Sequence, residues 1–309
     1  MHTYARLAPG PGFKAHRTLF YYAQRFVTFW PARDAVSGFI ARALRAAHGR
    51  GDDALDEGAV VALGDLERDG LAELAPLAPT KTIDRMRDYF QRQAVLGPGG
   101  ARMQLEDLPP ETPEAGYDLK TIIACPDLME LVNAPAVLQL ACAYLHCKPT
   151  LSSLGVRWSL PGSGTEALFQ GFHRDIDDWR FLKLFVYLTA VTDASGPHCY
   201  VRTSHRSSFG FRERRYAQAE IKARFGAGTL RTITGPAGTT FIADTLGIHR
   251  GGVPTEAPRL MLQAQYSLLP VFAFQYEPVE AEMLPLDTYC NRLLVRGRSD
   301  ERRSVQAWS

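Results

Sequence analysis

A histidine and an aspartate stand two residues apart in Phe172-His173-Arg174-Asp175, and a second histidine, His249, follows in Gly247-Ile248-His249-Arg250. In an extended strand, positions i and i+2 point to the same face, so His173 and Asp175 reach a common point from one strand edge. His249, on a later strand-like segment, supplies a further imidazole. Two histidines and a carboxylate occupy one face of an octahedron and leave three positions open, an arrangement suited to iron(II) oxygenase chemistry. Two open positions take a 2-oxo acid through its keto oxygen and carboxylate, and the third takes O2. The far carboxylate of 2-oxoglutarate then needs a fixed cation. Arg259, ten residues after His249, begins the next strand, and its guanidinium matches a carboxylate bidentately without losing charge.

Each of these residues is ordinary when taken alone. Most H-x-D triplets are surface or salt-bridged, a lone histidine is more often structural, and a lone arginine more often packs or faces solvent. Their order within a strand-rich region is what carries the chemistry. Further candidates carry an equal alternative of plain packing or exposure. Trp158, on the strand before His173, is assigned to the wall of the 2-oxoglutarate pocket. Lys183, alternating with Phe185 and Tyr187, is assigned as a second carboxylate contact. Phe169, on the face of His173, and Gln104, in a Gly/Pro-rich loop, are assigned to the substrate pocket. His198 and His205 are read as structural, because three ligands are complete without them. Asp177 and Asp178 are assigned to the turn or to a partner of the ligands, and Asp244 to a turn.

The elements that position these groups change character along the chain. Before residue 150 the pattern is helical: 17–30, ended by Pro31; 34–48; 82–93; 127–133; and 135–146. The stretch 97–116 is punctuated by Pro and Gly and reads as a long loop of the kind that covers a site. After Pro149, strand-like segments follow at 151–160, 167–173, 181–191, 198–203, 229–234, 239–243, 247–250 and 259–269, with a helix near 217–225. Eight strands with turn punctuation indicate a sandwich or barrel. The expected fold is mainly β with α: a jelly-roll, cupin-like core over 151–270, a mostly helical support over 1–150, and an extension over 271–309, all one domain.

Composition narrows the function classes. Hydrophobic residues at 46% and charged residues at 22% suit a chain that buries a core. A net charge of +2 gives no footprint for nucleic acid or an anionic membrane. Residues 1–50 are basic and 51–80 acidic, which reads as adjacent segments offsetting one another. The five cysteines, Cys125, Cys142, Cys147, Cys199 and Cys290, form no C-x-x-C pair. They are expected to be reduced and buried in a cytoplasmic protein. Neither a signal peptide nor a membrane span is expected. The partner is a small molecule, with oligomeric state left open.

From about Val60 to Leu269 the chain resembles the phytanoyl-CoA dioxygenase family of iron(II)/2-oxoglutarate oxygenases. The resemblance rests on Leu66-Glu67-Arg68-Asp69-Gly70, Phe172-His173-Arg174-Asp175-Ile176-Asp177-Asp178, Leu182 to Thr189, Ser195-Gly196-Pro197-His198-Cys199-Tyr200-Val201 with Ser204-His205, and Gly238 to Arg259. It implies a double-stranded β-helix core, Fe(II), 2-oxoglutarate and O2, with succinate and CO2 as co-products and hydroxylation as the default outcome. It also implies His173, Asp175 and His249 at the metal and Arg259 at the co-substrate. Halogenase relatives replace the carboxylate with a small residue; Asp175 is present here. Thr203 stands where the family commonly has Gly, at a turn away from the metal. The alternatives are a cupin-like metalloenzyme that does not use 2-oxoglutarate and a non-catalytic sensor on the same scaffold.

Overall fold

The computed structural model describes residues 3–10, 12–162, 171–209, 211, 215–281 and 286–297. A short strand β1 (Thr3–Tyr4) precedes helices α1 (Ala15–Phe26), α2 (Trp30–His48) and α3 (Glu57–Asp69). Pro31 lies in the first turn of α2 rather than ending α1, because a first-turn proline gives up an N–H that has no helical partner anyway. Helix α3 is absent from the sequence expectation. Asp56 caps it, accepting from the Ala59 N–H at 2.7 Å. Gly70 closes it at φ 78 and ψ 7, in the left-handed region.

The first half is also less helical than expected. It holds β2 (Leu71–Leu74), α4 (Thr80–Gln91), β3 (Val95–Leu96), β4 (Arg102–Met103), β5 (Glu114–Gly116), α5 (Leu119–Ile123), α6 (Leu128–Val132) and α7 (Pro135–Leu145). Its four strands here join the main sheet, so the Pro- and Gly-punctuated stretch is partly strand. These strands are two to four residues long, too short for alternation to register against the punctuation. The segment 128–145 has a mean hydropathy of 1.4, apolar enough by composition to cross a membrane. It breaks at Asn133 into α6 and α7, and Leu128, Leu131, Val132, Val137 and Leu140 are buried in the core.

The second half supplies β6 (Thr150–Ser159), β7 (Phe181–Tyr187), β8 (His198–Val201), α8 (Gln218–Phe225), β9 (Leu230–Ile233), β10 (Thr240–Ala243), β11 (His249–Gly251), β12 (Arg259–Ser267), β13 (Phe274–Gln275), β14 (Val279–Ala281), α9 (Thr288–Asn291) and β15 (Val295–Gly297). The large sheet is antiparallel with strand order β2-β10-β7-β12-β6-β5-β3-β4. A smaller sheet has order β11-β8-β9, and its edge extends through the bridge His173↔His249. Alternation along β12 divides the core. Leu260, Leu262 and Ala264 pack outward with Val137 and Leu140 of α7 and with Ile83 and Phe90 of α4. Met261 packs inward with Phe185, Tyr187 and Phe241, against Tyr200 and Ile233 of the small sheet. The two sheets therefore face each other in a jelly-roll-like arrangement, with the site between them.

The α3–β2 corner is tied to the turn that delivers His249. The Asp244 N–H donates to the Gly70 carbonyl at 2.9 Å, and a Cβ at Gly70 would meet the Tyr200 hydroxyl and the His205 ring. A Gly70→Ala change therefore combines left-handed strain with overpacking. It is expected to cost about 2–4 kcal/mol, read as a lowered unfolding midpoint in thermal or urea denaturation.

Candidate metal centre

His173 and Asp175 are joined to the β11 edge by main-chain bonds. The N–H of each of His173 and His249 donates to the other's carbonyl at 2.9 Å, and the Asp175 N–H donates to the Thr245 carbonyl at 2.9 Å. This short ladder converts an i, i+2 pair and a residue 74 positions beyond Asp175 into one cluster. The ligand-type atoms of His173, Asp175 and His249 all lie within 4.8 Å of one another. Asp175 Oδ1 is 3.8 Å from His173 Nε2, and Oδ2 is 3.4 Å from His249 Nε2.

Both rings are oriented from behind. His249 Nδ1 lies 2.9 Å from the Gly247 carbonyl and His173 Nδ1 3.3 Å from the Gly171 carbonyl. A ring that donates from Nδ1 leaves Nε2 as a lone pair aimed at the shared point. Burial, followed by the nearby His249, holds the His173 pKa down at about 4, so its ring is neutral and ready to ligate at neutral pH. Burial alone would raise the Asp175 pKa, but Lys183 and then His249 hold it well below the usual carboxylate range.

Lys183 differs from its expected role. Its ammonium lies 2.7 Å from Asp175 Oδ2 and 3.1 Å from Asp177 Oδ2, so its charge is committed to these carboxylates rather than to 2-oxoglutarate. Burial opposes its charged form, yet Asp175 and Asp177 raise its pKa. Trp158 also departs from expectation. It sits on the helix-facing side of β6, with its indole N–H donating to the Tyr117 hydroxyl at 2.9 Å, and does not wall the cavity. It alternates with Arg157 and Ser159, which do line the cavity. Gln104 is exposed and outside the cavity lining, because β4 lies at the far edge of the large sheet. Phe169 lies outside the described residues. Phe172 and Trp179 are core.

The cavity holds about 250 Å³ and runs from the His/Asp cluster to Arg259. Arg259 is 3% exposed. Its Nη2 donates to the Ser159 hydroxyl at 3.0 Å, while Nε and Nη1 are buried without a partner. Among the described residues, Arg259 makes no ion pair. A buried cation with open donors is costly unless an anion completes it. The wall beside Ser159, at Glu114, Arg157 and Gln263, is polar: Arg157 lies 3.3 Å from Glu114 Oε2 and donates to Gln263 Oε1 at 2.9 Å.

The donor sets fit both groups that the residues call for. Two free imidazole nitrogens and a carboxylate suit a divalent first-row metal. A guanidinium with unfilled N–H donors suits the far carboxylate of a dicarboxylic 2-oxo acid.

Sequence reasoning passed over Arg174, the middle residue of the H-x-D triplet. It is 9% exposed. It donates to the carbonyls of Phe209 at 2.8 Å, Ser204 at 2.8 Å, Ser207 at 2.9 Å and also Leu246, tying the 204–209 segment to the turn before His249. A lone Arg between two ligands carries no sequence signal for this. Truncation in Arg174→Ala orphans those carbonyls and is expected to cost about 3 kcal/mol, measured by denaturation of the metal-free protein. Asp244 forms the turn as expected. Its Oδ1 accepts from the Leu246 N–H at 2.9 Å and its Oδ2 from the Tyr144 hydroxyl at 2.7 Å.

HygX from Streptomyces hygroscopicus, solved with nickel and 2-oxoglutarate bound, aligns with a TM-score of 0.52 at 18% identity, over 75% of this chain and 94% of that one. The chain shares its fold with HygX. EctD from S. alaskensis, solved with 2-oxoglutarate and 5-hydroxyectoine, aligns with a TM-score of 0.50 at 16% identity, over 80% of this chain and 91% of that one. No family model matches the chain, and no curated protein matches it in sequence.

Proposed function

We propose that the chain is an iron(II)- and 2-oxoglutarate-dependent oxygenase of the phytanoyl-CoA dioxygenase type, with its two sheets forming a double-stranded β-helix. One observation carries this reading: a His/His/Asp cluster with both Nε2 atoms turned inward shares a cavity with a buried guanidinium that lacks a counter-ion. HygX, which has the same fold, was solved with nickel and 2-oxoglutarate and also with hygromycin B, and EctD with 2-oxoglutarate and 5-hydroxyectoine. Those ligands support the reading for a chain with this fold and this donor set.

When bound, iron(II) with O2 and 2-oxoglutarate supplies an oxidant able to break an unactivated C–H bond, with succinate and CO2 as co-products. The protein's part is placement. His173, Asp175 and His249 would hold the metal. Arg259 fixes the far carboxylate, and Lys183 fixes Asp175. The enclosing sheets keep bulk water from the reacting atoms. Hydroxylation of a small molecule is the assigned outcome. The polar wall at Glu114, Arg157 and Gln263 suits a hydrogen-bonding substrate. Five buried free thiols suit a reducing, cytoplasmic setting.

The test is anaerobic addition of iron(II) and 2-oxoglutarate with visible spectroscopy. Chelation of the keto acid gives a weak charge-transfer band in the parent and none in His173→Ala. Iron binding without a band overturns the 2-oxoglutarate assignment in favour of a cupin-like metalloenzyme. Absence of iron binding favours a non-catalytic scaffold.

A further inference from the structure

The sequence marks His198 as structural, yet it lies in the cavity wall with an unpartnered ring nitrogen. It is 3% exposed and its Nε2 is buried with no partner. Three rings hold the imidazole. It stacks on His249 with centroids 5.4 Å apart and planes at 19°, and it meets Phe185 at 4.8 Å and Phe241 at 5.2 Å. A ring so enclosed loses little freedom when it makes one more hydrogen bond.

The register of the small sheet places this ring beside Arg259. His198 pairs directly with Gly251 across β8 and β11, so both residues face the cavity side. Cross-strand Cβ positions lie roughly 4.5–5.5 Å apart. A Cβ on Gly251 would lie 3.4 Å from Arg259 Nη2. The missing side chain thus leaves room for the guanidinium next to the imidazole. Two unfilled donors of Arg259 and the unpartnered Nε2 of His198 line the same cavity, while the Asp175 carboxylate is already engaged by Lys183. A neutral acceptor would leave the guanidinium charge uncompensated, whereas a carboxylate answers both residues.

We propose that His198 is a positioning residue that donates an Nε2–H hydrogen bond to the far carboxylate of the 2-oxo acid, completing with Arg259 and Ser159 one cradle for that group. This rests on the reading of the site as a 2-oxoglutarate site. It assigns no role at the metal to His198, although its ring stacks on a metal-binding one.

The experiment measures dissociation constants for nickel and for 2-oxoglutarate on the nickel-loaded full chain by calorimetry, in the parent, His198→Phe and His198→Gln. Phenylalanine keeps the ring contacts and removes the donor; glutamine returns an N–H near the Nε2 position. In His198→Phe the 2-oxoglutarate constant should rise about 10- to 100-fold, the range for one hydrogen bond to a charged acceptor. Nickel affinity should hold, and His198→Gln should recover part of the loss. His198→Leu against His198→Gln repeats the comparison with smaller side chains if phenylalanine is not accommodated. Parent-like 2-oxoglutarate binding in both donor-less variants overturns the proposal. So does a parallel loss of nickel affinity, which would assign His198 to the metal, or a glutamine variant no better than phenylalanine. A parent that binds nickel but no 2-oxoglutarate removes the underlying reading before any variant is compared.

Discussion

Replacing His249 with alanine is expected to abolish tight metal binding and, with it, turnover. Two ligands would remain, one of them the partly buried His173. Loss of a group that merely orients a ligand costs roughly 10–100-fold in metal affinity, and removal of the ligand itself should exceed that. The fold should survive, because the β11 edge is held by main-chain bonds between His173 and His249 that an alanine keeps. A stability comparison separates the two effects. Saturating metal at a hundred times its dissociation constant stabilises a folded protein by about 2.7 kcal/mol. The parent should show that gain in thermal unfolding, whereas His249→Ala should show none while its metal-free midpoint stays near the parent's. Metal-dependent stabilisation that persists in His249→Ala would place the metal elsewhere.

Replacing Arg259 with alanine is expected to leave metal affinity intact and to weaken 2-oxoglutarate by at least about a hundredfold. The guanidinium offers two unfilled donors and the buried charge that the far carboxylate needs. Hydrogen bonds to charged groups contribute about 1.5–3 kcal/mol each, and every 1.4 kcal/mol is tenfold in binding. Arg259→Lys should recover only part of the affinity. An ammonium restores charge without the fork that also holds Ser159. The check is the 2-oxoglutarate concentration that half-saturates the charge-transfer band. An Arg259→Ala protein that saturates like the parent would remove Arg259 from the co-substrate site.

Much of the second half was legible because its cues are local. The expected segments 151–160, 198–203 and 239–243 correspond to Thr150–Ser159, His198–Val201 and Thr240–Ala243, each bounded by turn-forming residues. The short strands β2 to β5 left no such trace. They exist because the edges of the large sheet accept them, and pairing of that kind is a long-range property. Pro31 shows a related ambiguity: a proline can end one helix or begin the next, and the choice depends on where the following helix packs.

By itself, the sequence determined the ingredients of the site: an i, i+2 histidine–aspartate pair, which the structure holds at an isolated bridge rather than on a strand, a later histidine behind a glycine turn, and an arginine opening the next strand. These follow from residue type and from the two-residue period of a strand. Only the tertiary structure decided what meets what. Period-two alternation states that Trp158 opposes its neighbours Arg157 and Ser159, but not which of the two faces is the cavity. The packing of α4 and α7 on the outer face settles that. Lys183 pairs with Asp175 and Asp177 because a turn brings the end of the H-x-D segment over β7. His198 shares a cavity with Arg259 because its cross-strand partner is a glycine, Gly251, whose missing side chain leaves the guanidinium room. Such contacts join residues far apart in the chain, and their existence depends on sheet register, which no single segment encodes.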